Sequence, residues 1–165
     1  MHQKTGFSLI ELMVVIALCM IIISLGTVNT KFLNKAAVHV YINELYNTCY
    51  FLQRMAMATG HIQELVLDST SQSYSYNGHN CKLPSIVQFG IISGAKGPPS
   101  SPNKIIVQAI TFPDKKIHFY PDGIIESGTV YLCDASGKDL YALTSGITPV
   151  SFLRKYRYDG KWHLI

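Results

Sequence analysis

The chain begins with a few polar residues, continues through a long apolar run and then changes its hydrophobic period. Residues 12–28 are apolar apart from three small or hydroxylated residues. A bilayer core of about 30 Å takes about 20 helical residues, and residues 7–29 are long enough to span it. Glu11 lies near one end of this span, where an acid costs several kcal/mol unless something neutralises it. The pattern therefore predicts a membrane anchor that carries a functional carboxylate.

A helical period follows the apolar run. Apolar residues recur there at alternating steps of four and three, which is typical of the seam of an amphipathic helix: Val38, Ile42, Leu45, Cys49, Leu52 and Ala56. No proline occurs before Pro84, so one helix over residues 8–59 is predicted, about 78 Å long at 1.5 Å per residue. Gly26 and Thr27 offer a place for it to bend, and Gly60 is a candidate C-cap.

Beyond Gly60 the hydrophobic period becomes two, which predicts strands. Asn77-Gly78 and Asp159-Gly160 are hairpin signals. Residues 134–139 are predicted to form a turn and residues 93–102 a loop. The predicted strands are 62–68, 72–77, 85–92, 105–112, 116–120, 129–133, 140–143, 149–158 and 161–165. One long helix followed by strands predicts an α+β fold, with an antiparallel sheet laid across the second half of the helix.

The segment Gly6-Phe7-Ser8-Leu9-Ile10-Glu11-Leu12 resembles the class III signal of type IV pilins and pseudopilins. The resemblance implies that a prepilin peptidase cuts between Gly6 and Phe7 and that the new amino group of Phe7 is methylated. It also implies that Glu11 pairs with the Phe7 ammonium of a neighbouring subunit during assembly. Such pairing neutralises two charges that are costly apart in lipid.

The implied organisation has four parts. Residues 1–6 are a leader, residues 7–29 a transmembrane and filament-core helix, and residues 30–60 the amphipathic second half of that helix. Residues 61–165 form a β-rich head. The anchor is then single-pass in the inner membrane, with the head in the periplasm, and Lys4 in the leader agrees with the positive-inside rule.

Parts of the head are similar to minor pseudopilins of the GspH/FimT type. The similarity lies in residues 117–123 and 129–132, and in residues 45–58 followed by a strand at 65–67. It implies a minor subunit of a type II secretion or type IV pilus filament, whose partners are other pilins or pseudopilins. An alternative that the residues leave open is a cleaved secretory signal, with an exported β-rich protein beginning at about Thr27.

The composition limits what can be inferred about the partners of the head and about its disulfide bonds. Of 165 residues, 15% are charged and the net charge is +4, which does not by itself indicate a nucleic-acid partner. Cys49, Cys81 and Cys133 lie beyond the apolar run, and three cysteines allow at most one bridge among them. We favour Cys81–Cys133, because Cys49 lies on the predicted helix seam. Three buried thiols are the alternative.

Basic and aromatic residues interleave near the end of the sequence, where the cations are Arg154, Lys155, Arg157 and Lys161. Such a mixture suits a nucleic-acid strand, with cations for phosphates and rings for stacked bases. Some FimT-type pilus proteins bind DNA through a basic C-terminal segment, although their Gly-Arg-x-Arg pattern is absent here. Strand alternation splits these cations between two faces, so the favoured interpretation is protection of a sheet edge.

Motifs for catalysis are missing from the sequence. It contains no Gly-rich phosphate loop, no His-Glu-x-x-His and no Gly-x-Ser-x-Gly. Asp134, Ser136 and Asp139 surround Gly137 and would suit calcium, but two carboxylates in a turn are usually solvated. We therefore expect no enzyme activity, no cofactor and no metal.

Overall fold

The computed structural model describes residues 8–26, 30–98, 102–148 and 150–165. The chain divides into two compact units between Leu33 and Asn34, and each is described by itself. The leader and the predicted cleavage site at Gly6 and Phe7 lie outside the described residues.

The first unit contains helix α1, Leu9–Gly26. Ser8 directly precedes the helix, and its carbonyl accepts hydrogen bonds from the backbone N–H groups of Glu11 and Leu12 at 3.0 and 3.2 Å. Glu11 lies in its first turn, where a carboxylate interacts favourably with the helix dipole. Among the described residues, no helix is long and apolar enough to cross a membrane.

Helix α2, Thr30–Thr59, contains the predicted seam, and all of the seam residues belong to the second unit. All six seam residues are 0–1% exposed, which confirms the predicted period: Val38, Ile42, Leu45, Cys49, Leu52 and Ala56. The helix ends at Gly60, whose φ is 70° and whose N–H donates to the carbonyl of Ala56 at 3.0 Å. Gly60 is therefore the C-cap, because its left-handed conformation is strained for other residues. Residues 27–29, which adjoin the predicted bend, lie outside the described residues.

Nine strands lie between residue 63 and residue 164 in the described part of the chain. They are β1 (Gln63–Asp68), β2 (Ser73–Tyr76), β3 (His79–Lys82), β4 (Val87–Phe89), β5 (Lys116–Phe119), β6 (Gly128–Asp134), β7 (Leu140–Thr148), β8 (Val150–Tyr158) and β9 (Trp162–Leu164). A 3-10 turn, Pro113–Lys115, precedes β5. The strands pair antiparallel in two sheets, with orders β3-β2-β1-β5 and β4-β6-β7-β8-β9.

The main core lies between the α2 seam and both sheets. The first sheet contributes Leu65, Leu67 and Ile117, while the second contributes Leu132 and Leu143, all at 0–1% exposure. A second buried cluster covers the other face of the second sheet, and its members are Ala95, Ile106, Tyr131, Cys133, Leu140, Ala142 and Tyr156. The helix is therefore held by two sheets at once, whereas the sequence predicted one.

The predicted strand at 105–112 is wrong. Two isolated bridges are found there, Lys96 with Ile105 and Ile110 with Val130, and Val107 is 74% exposed. The segment does not add a strand to the second sheet. β4 already pairs with the later half of β6, and only residues 109–111 form backbone hydrogen bonds with the earlier half of that strand. Strand β3 was not predicted. It follows directly from the Asn77-Gly78 turn, whose φ values of 47° and 81° are those of a hairpin turn.

Candidate assembly segment and charged clusters of the head

Helix α1 is apolar on every side. Ten of its large apolar side chains are exposed by 47–77%, with Leu9 and Ile10 the most exposed. Burying each of them stabilises by roughly 1.5–3 kcal/mol. A helix that is apolar all round is buried by a partner or by lipid in its working state. Glu11 is the single acid of α1 and is exposed in its first turn.

The basic residues of β8 lie on two faces, as strand alternation predicted. Arg154 is exposed, and its guanidinium carbon lies 4.2 Å from the centroid of the Phe152 ring. Lys155 points to α2, where its Nζ donates to Asn43 Oδ1 at 2.6 Å and lies 4.7 Å from the Tyr46 ring centroid. Arg154 and Lys155, adjacent residues of β8, therefore face opposite sides of the second sheet.

The other two cations are also separated. Arg157 lies opposite Tyr141 on β7 and is half-buried, with its Nε buried and without a hydrogen-bond partner in the described part of the chain. Lys161 is exposed in the turn between β8 and β9. The structure thus does not bring the four predicted DNA-contacting cations onto one face.

The predicted Cys81–Cys133 bridge is not formed, and both are free thiols. Cys81 lies on β3 of the first sheet and packs against the main core. Cys133 lies on β6 of the second sheet and belongs to the second buried cluster. The two side chains therefore belong to different sheets and clusters, which corrects the prediction. Burial raises the pKa of the Cys49 thiol to about 12, so this residue is an inert part of the helix seam.

The turn between β6 and β7 is built on Asp134, which is 1% exposed. One carboxylate oxygen accepts the N–H groups of Lys138 and Asp139 at 2.7 and 2.8 Å. The other accepts the N–H of Ser136 at 3.2 Å and also the Ser136 hydroxyl. Both oxygens are thus occupied by the chain itself. Among the described residues, no group of three or more His, Cys, Asp or Glu side chains is arranged to hold a metal ion.

A charged cluster on the first sheet was not predicted. Lys116 Nζ lies 2.9 Å from Glu64 Oε1, and His118 lies between Glu64 at 3.4 Å and Glu126 at 2.6 Å. The hydrogen bond from Lys116 lowers the pKa of Glu64 and, together with the His118 interactions, outweighs the opposing effect of burial. The cluster fastens residues 124–126 to β5. The sequence contains no signal for it, because the β1–β5 pairing joins residues that are 50 or more positions apart.

The comparisons with known proteins give one match. Residues 1–27 match the prokaryotic N-terminal methylation motif. No curated protein and no solved structure matches the chain. The motif supports a type IV pilin-like subunit that is exported with a membrane anchor, processed by prepilin peptidase, methylated and assembled with other pilins.

Proposed function

We propose that this chain is a minor pilin or pseudopilin of the GspH/FimT type, a subunit of a type II secretion or type IV pilus filament. It works as a structural subunit and as a substrate of prepilin peptidase, and it is not an enzyme. The observation that carries the proposal is the methylation motif at residues 1–27, which contains helix α1 with ten large apolar side chains exposed between Leu9 and Ile21.

The proposed mechanism is assembly through α1. After cleavage between Gly6 and Phe7, the helix would leave the inner membrane and pack among the helices of neighbouring subunits, with the head on the periplasmic side. Glu11 is exposed in the first turn of α1, so it is accessible to the methylated Phe7 ammonium of a neighbour. Each charge is costly in an apolar surrounding, and pairing them removes most of that cost.

The first experiment determines the mature N-terminus. The full chain is isolated from membranes of cells with and without prepilin peptidase, and its mass and N-terminal sequence are measured. A methylated Phe7 that appears only with the peptidase supports the proposal. A start near Thr27 in both strains contradicts it, because that is the product of an ordinary secretory signal.

The second experiment separates processing from assembly. We expect Glu11→Gln to be cleaved normally but to be lost from filaments recovered by shearing or crosslinking. Asp122→Asn makes the same change of charge at an exposed turn of the head and should assemble as the wild type does. Equal assembly of both variants would show that the Glu11 charge has no part in packing.

DNA uptake remains the weaker candidate. The four cations that suggested it are divided between the two faces of β8 and the following turn. Replacing Arg154, Lys155, Arg157 and Lys161 together tests it, because phosphate contacts give a steep dependence of affinity on salt. Salt-sensitive DNA binding by the wild type that this variant loses would support the DNA-uptake role.

A further inference from the structure

We propose that Lys155, Arg157 and His39 form a binding site for a phosphate group where α2 meets β8. These side chains and Asn43 are called the donor cluster below. All four belong to the second unit, and α2 and β8 are among the elements whose side chains form or pack against its main core.

The hydrogen bonds of Asn43 fix which groups remain free in the donor cluster. Lys155 Nζ lies 2.6 Å from Asn43 Oδ1, and an ammonium group can only donate. The amide nitrogen of Asn43 therefore faces the other way and donates to Nδ1 of His39 at 3.3 Å. With Nδ1 accepting, the neutral His39 ring carries its N–H on Nε2. Lys155 and His39 thus both offer unused donors, whereas the amide oxygen of Asn43 and one of its two N–H groups are engaged within the cluster.

Arg157 adds a third donor on the same face of β8 as Lys155, because the two residues are two positions apart on one strand. It lies opposite Tyr141 across the β7–β8 pair, and the ring of Tyr141 lies 6.1 Å from that of His39. Burial raises the pKa of Tyr141 while the Arg157 charge acts to lower it, so the guanidinium is within electrostatic reach of the phenol. The charge of Asp139 acts on Tyr141 in the opposite direction to that of Arg157.

The cations of the donor cluster are not engaged in ion pairs within the described part of the chain. Within the described residues, no ion pair includes Lys155 or Arg157, and the buried Nε of Arg157 has no hydrogen-bond partner. A buried donor without a partner is uncommon in folded proteins, so Arg157 keeps hydrogen-bonding capacity that the described part of the fold does not use. Guanidinium presents a planar fork of donors that matches phosphate oxygens, and an ammonium beside it adds a point charge.

The position of the donor cluster in the sequence favours the phosphate of a lipid headgroup, and this step rests on the proposed function. Lys35 precedes His39 by one helical turn, is half-buried and adds another cation to the same side of α2. It follows Val28, the last residue of the apolar run, by seven residues, which span at most about 25 Å even when extended. Basic residues this close to an anchored segment attract anionic lipids. Free phosphate has the same chemistry, so the experiment distinguishes the two sources.

The first arm measures phosphate binding directly. The full chain, in micelles of an uncharged detergent, is titrated with inorganic phosphate and, at equal ionic strength, with chloride, while the imidazole resonances are followed by NMR. We expect a saturable shift of the His39 resonance with phosphate alone. Lys155→Gln and Arg157→Gln should each weaken binding by about tenfold, the usual effect of losing one charge-assisted hydrogen bond.

The matched control lies on the same strand. Arg154→Gln removes the same charge from the opposite face of β8 and should leave the titration unchanged. The wild-type titration decides the matter even if a variant fails to fold. A His39 resonance that responds equally to phosphate and chloride would overturn the proposal.

The second arm identifies the source of the phosphate. The chain is placed in nanodiscs of phosphatidylcholine with or without phosphatidylglycerol. A His39 shift that requires phosphatidylglycerol and is lost in Arg157→Gln supports a lipid headgroup. Free-phosphate binding with no response to phosphatidylglycerol overturns the lipid source and supports a soluble phosphate.

A third outcome assigns the donor cluster to another partner. If phosphate does not bind but Lys155→Gln and Arg157→Gln impair filament assembly, the natural anion is a carboxylate of a neighbouring subunit and the phosphate proposal is wrong. The phosphate titration is independent of the proposed function, whose failure appears in the mature N-terminus and bears only on the lipid source.

Discussion

Asp134 organises the turn between β6 and β7, and Asp134→Asn tests this role. In the wild type one carboxylate oxygen accepts two backbone N–H groups, from Lys138 and Asp139. The other oxygen accepts the N–H and the hydroxyl of Ser136. Asparagine keeps one acceptor oxygen, but its amide group places a donor against the N–H of Ser136. The substitution therefore removes two charge-assisted bonds at a site that is 1% exposed.

The expected loss follows from these bonds. Hydrogen bonds to a charged group contribute about 1.5–3 kcal/mol each, and the Ser136 hydroxyl can turn to accept from the new amide. We therefore expect Asp134→Asn to lower the free energy of unfolding by about 2–4 kcal/mol. Denaturant unfolding of the full chain in uncharged detergent measures it, with Trp162, the single tryptophan, as the fluorescent probe.

Asp139→Asn is the control, because it makes the same change of charge in the same turn and leaves the backbone bond to Asp134 in place. Equal losses for the two variants would refute the role given to Asp134. An increase in the unfolding midpoint of the wild type on addition of calcium would also refute this role. Both oxygens of Asp134 already accept hydrogen bonds from the chain, so the turn should not bind the ion.

The Asp134 carboxylate also makes the free energy of unfolding depend on pH. Burial acts to raise the pKa of Asp134, but the bonds from Ser136, Asp139 and Lys138 outweigh it, so the pKa lies below its usual value. A group with a depressed pKa stabilises fully above its unfolded pKa of about 3.9 and loses this contribution as pH falls through the folded pKa. The difference in stability between wild type and Asp134→Asn should therefore be constant above about pH 5 and shrink below about pH 4. A difference that grows on acidification would contradict the assignment.

Three further predictions concern packing. Leu52→Ala should lower the free energy of unfolding by about 2–5 kcal/mol, because the side chain is fully buried. Phe51→Ala, at a position 53% exposed, should change it by about 0.5 kcal/mol or less. Similar losses for the two variants would contradict the assignment of Leu52 to the buried face of α2. Gly128→Ala should cost about 1–3 kcal/mol, since a Cβ there would lie 2.6 Å from the buried ring of Phe112, and Phe112→Leu should recover part of this in a double-mutant cycle. Cys49 should resist thiol reagents at neutral pH until the chain unfolds, since its pKa is about 12; rapid labelling of the folded protein would show that the seam opens.

The helix seam and the hairpins could be predicted because their signals are local. The step pattern from Val38 to Ala56 depends only on the 3.6-residue period, and the buried face has the predicted members. Asn77-Gly78 predicts its turn because both positions need a positive φ that asparagine and glycine tolerate. The N-terminal motif is local too, since its residues must fall in one register.

Features that depend on pairing distant residues could not be predicted. Lys155 and Asn43 are 112 positions apart, and His118 meets Glu64 only through the β1–β5 register. The division into two sheets could not be predicted for the same reason. Alternating apolar residues identify a strand, but they do not show which other strand it pairs with. The segment at 105–112 has the composition of a strand, yet most of its length finds no open strand edge to pair with.

One face of α2 is buried by both sheets, so its core contacts can be completed only after the strands of both sheets have formed. Ile42 emerges early in synthesis, whereas Leu143, which packs in the same core, emerges about a hundred residues later. Contacts so distant in sequence form slowly, because the loop must close before they stabilise anything. Until the later strands exist, the seam of α2 is an uncovered apolar stripe. The main core of the head can therefore be completed only after the last strands of the second sheet have been made.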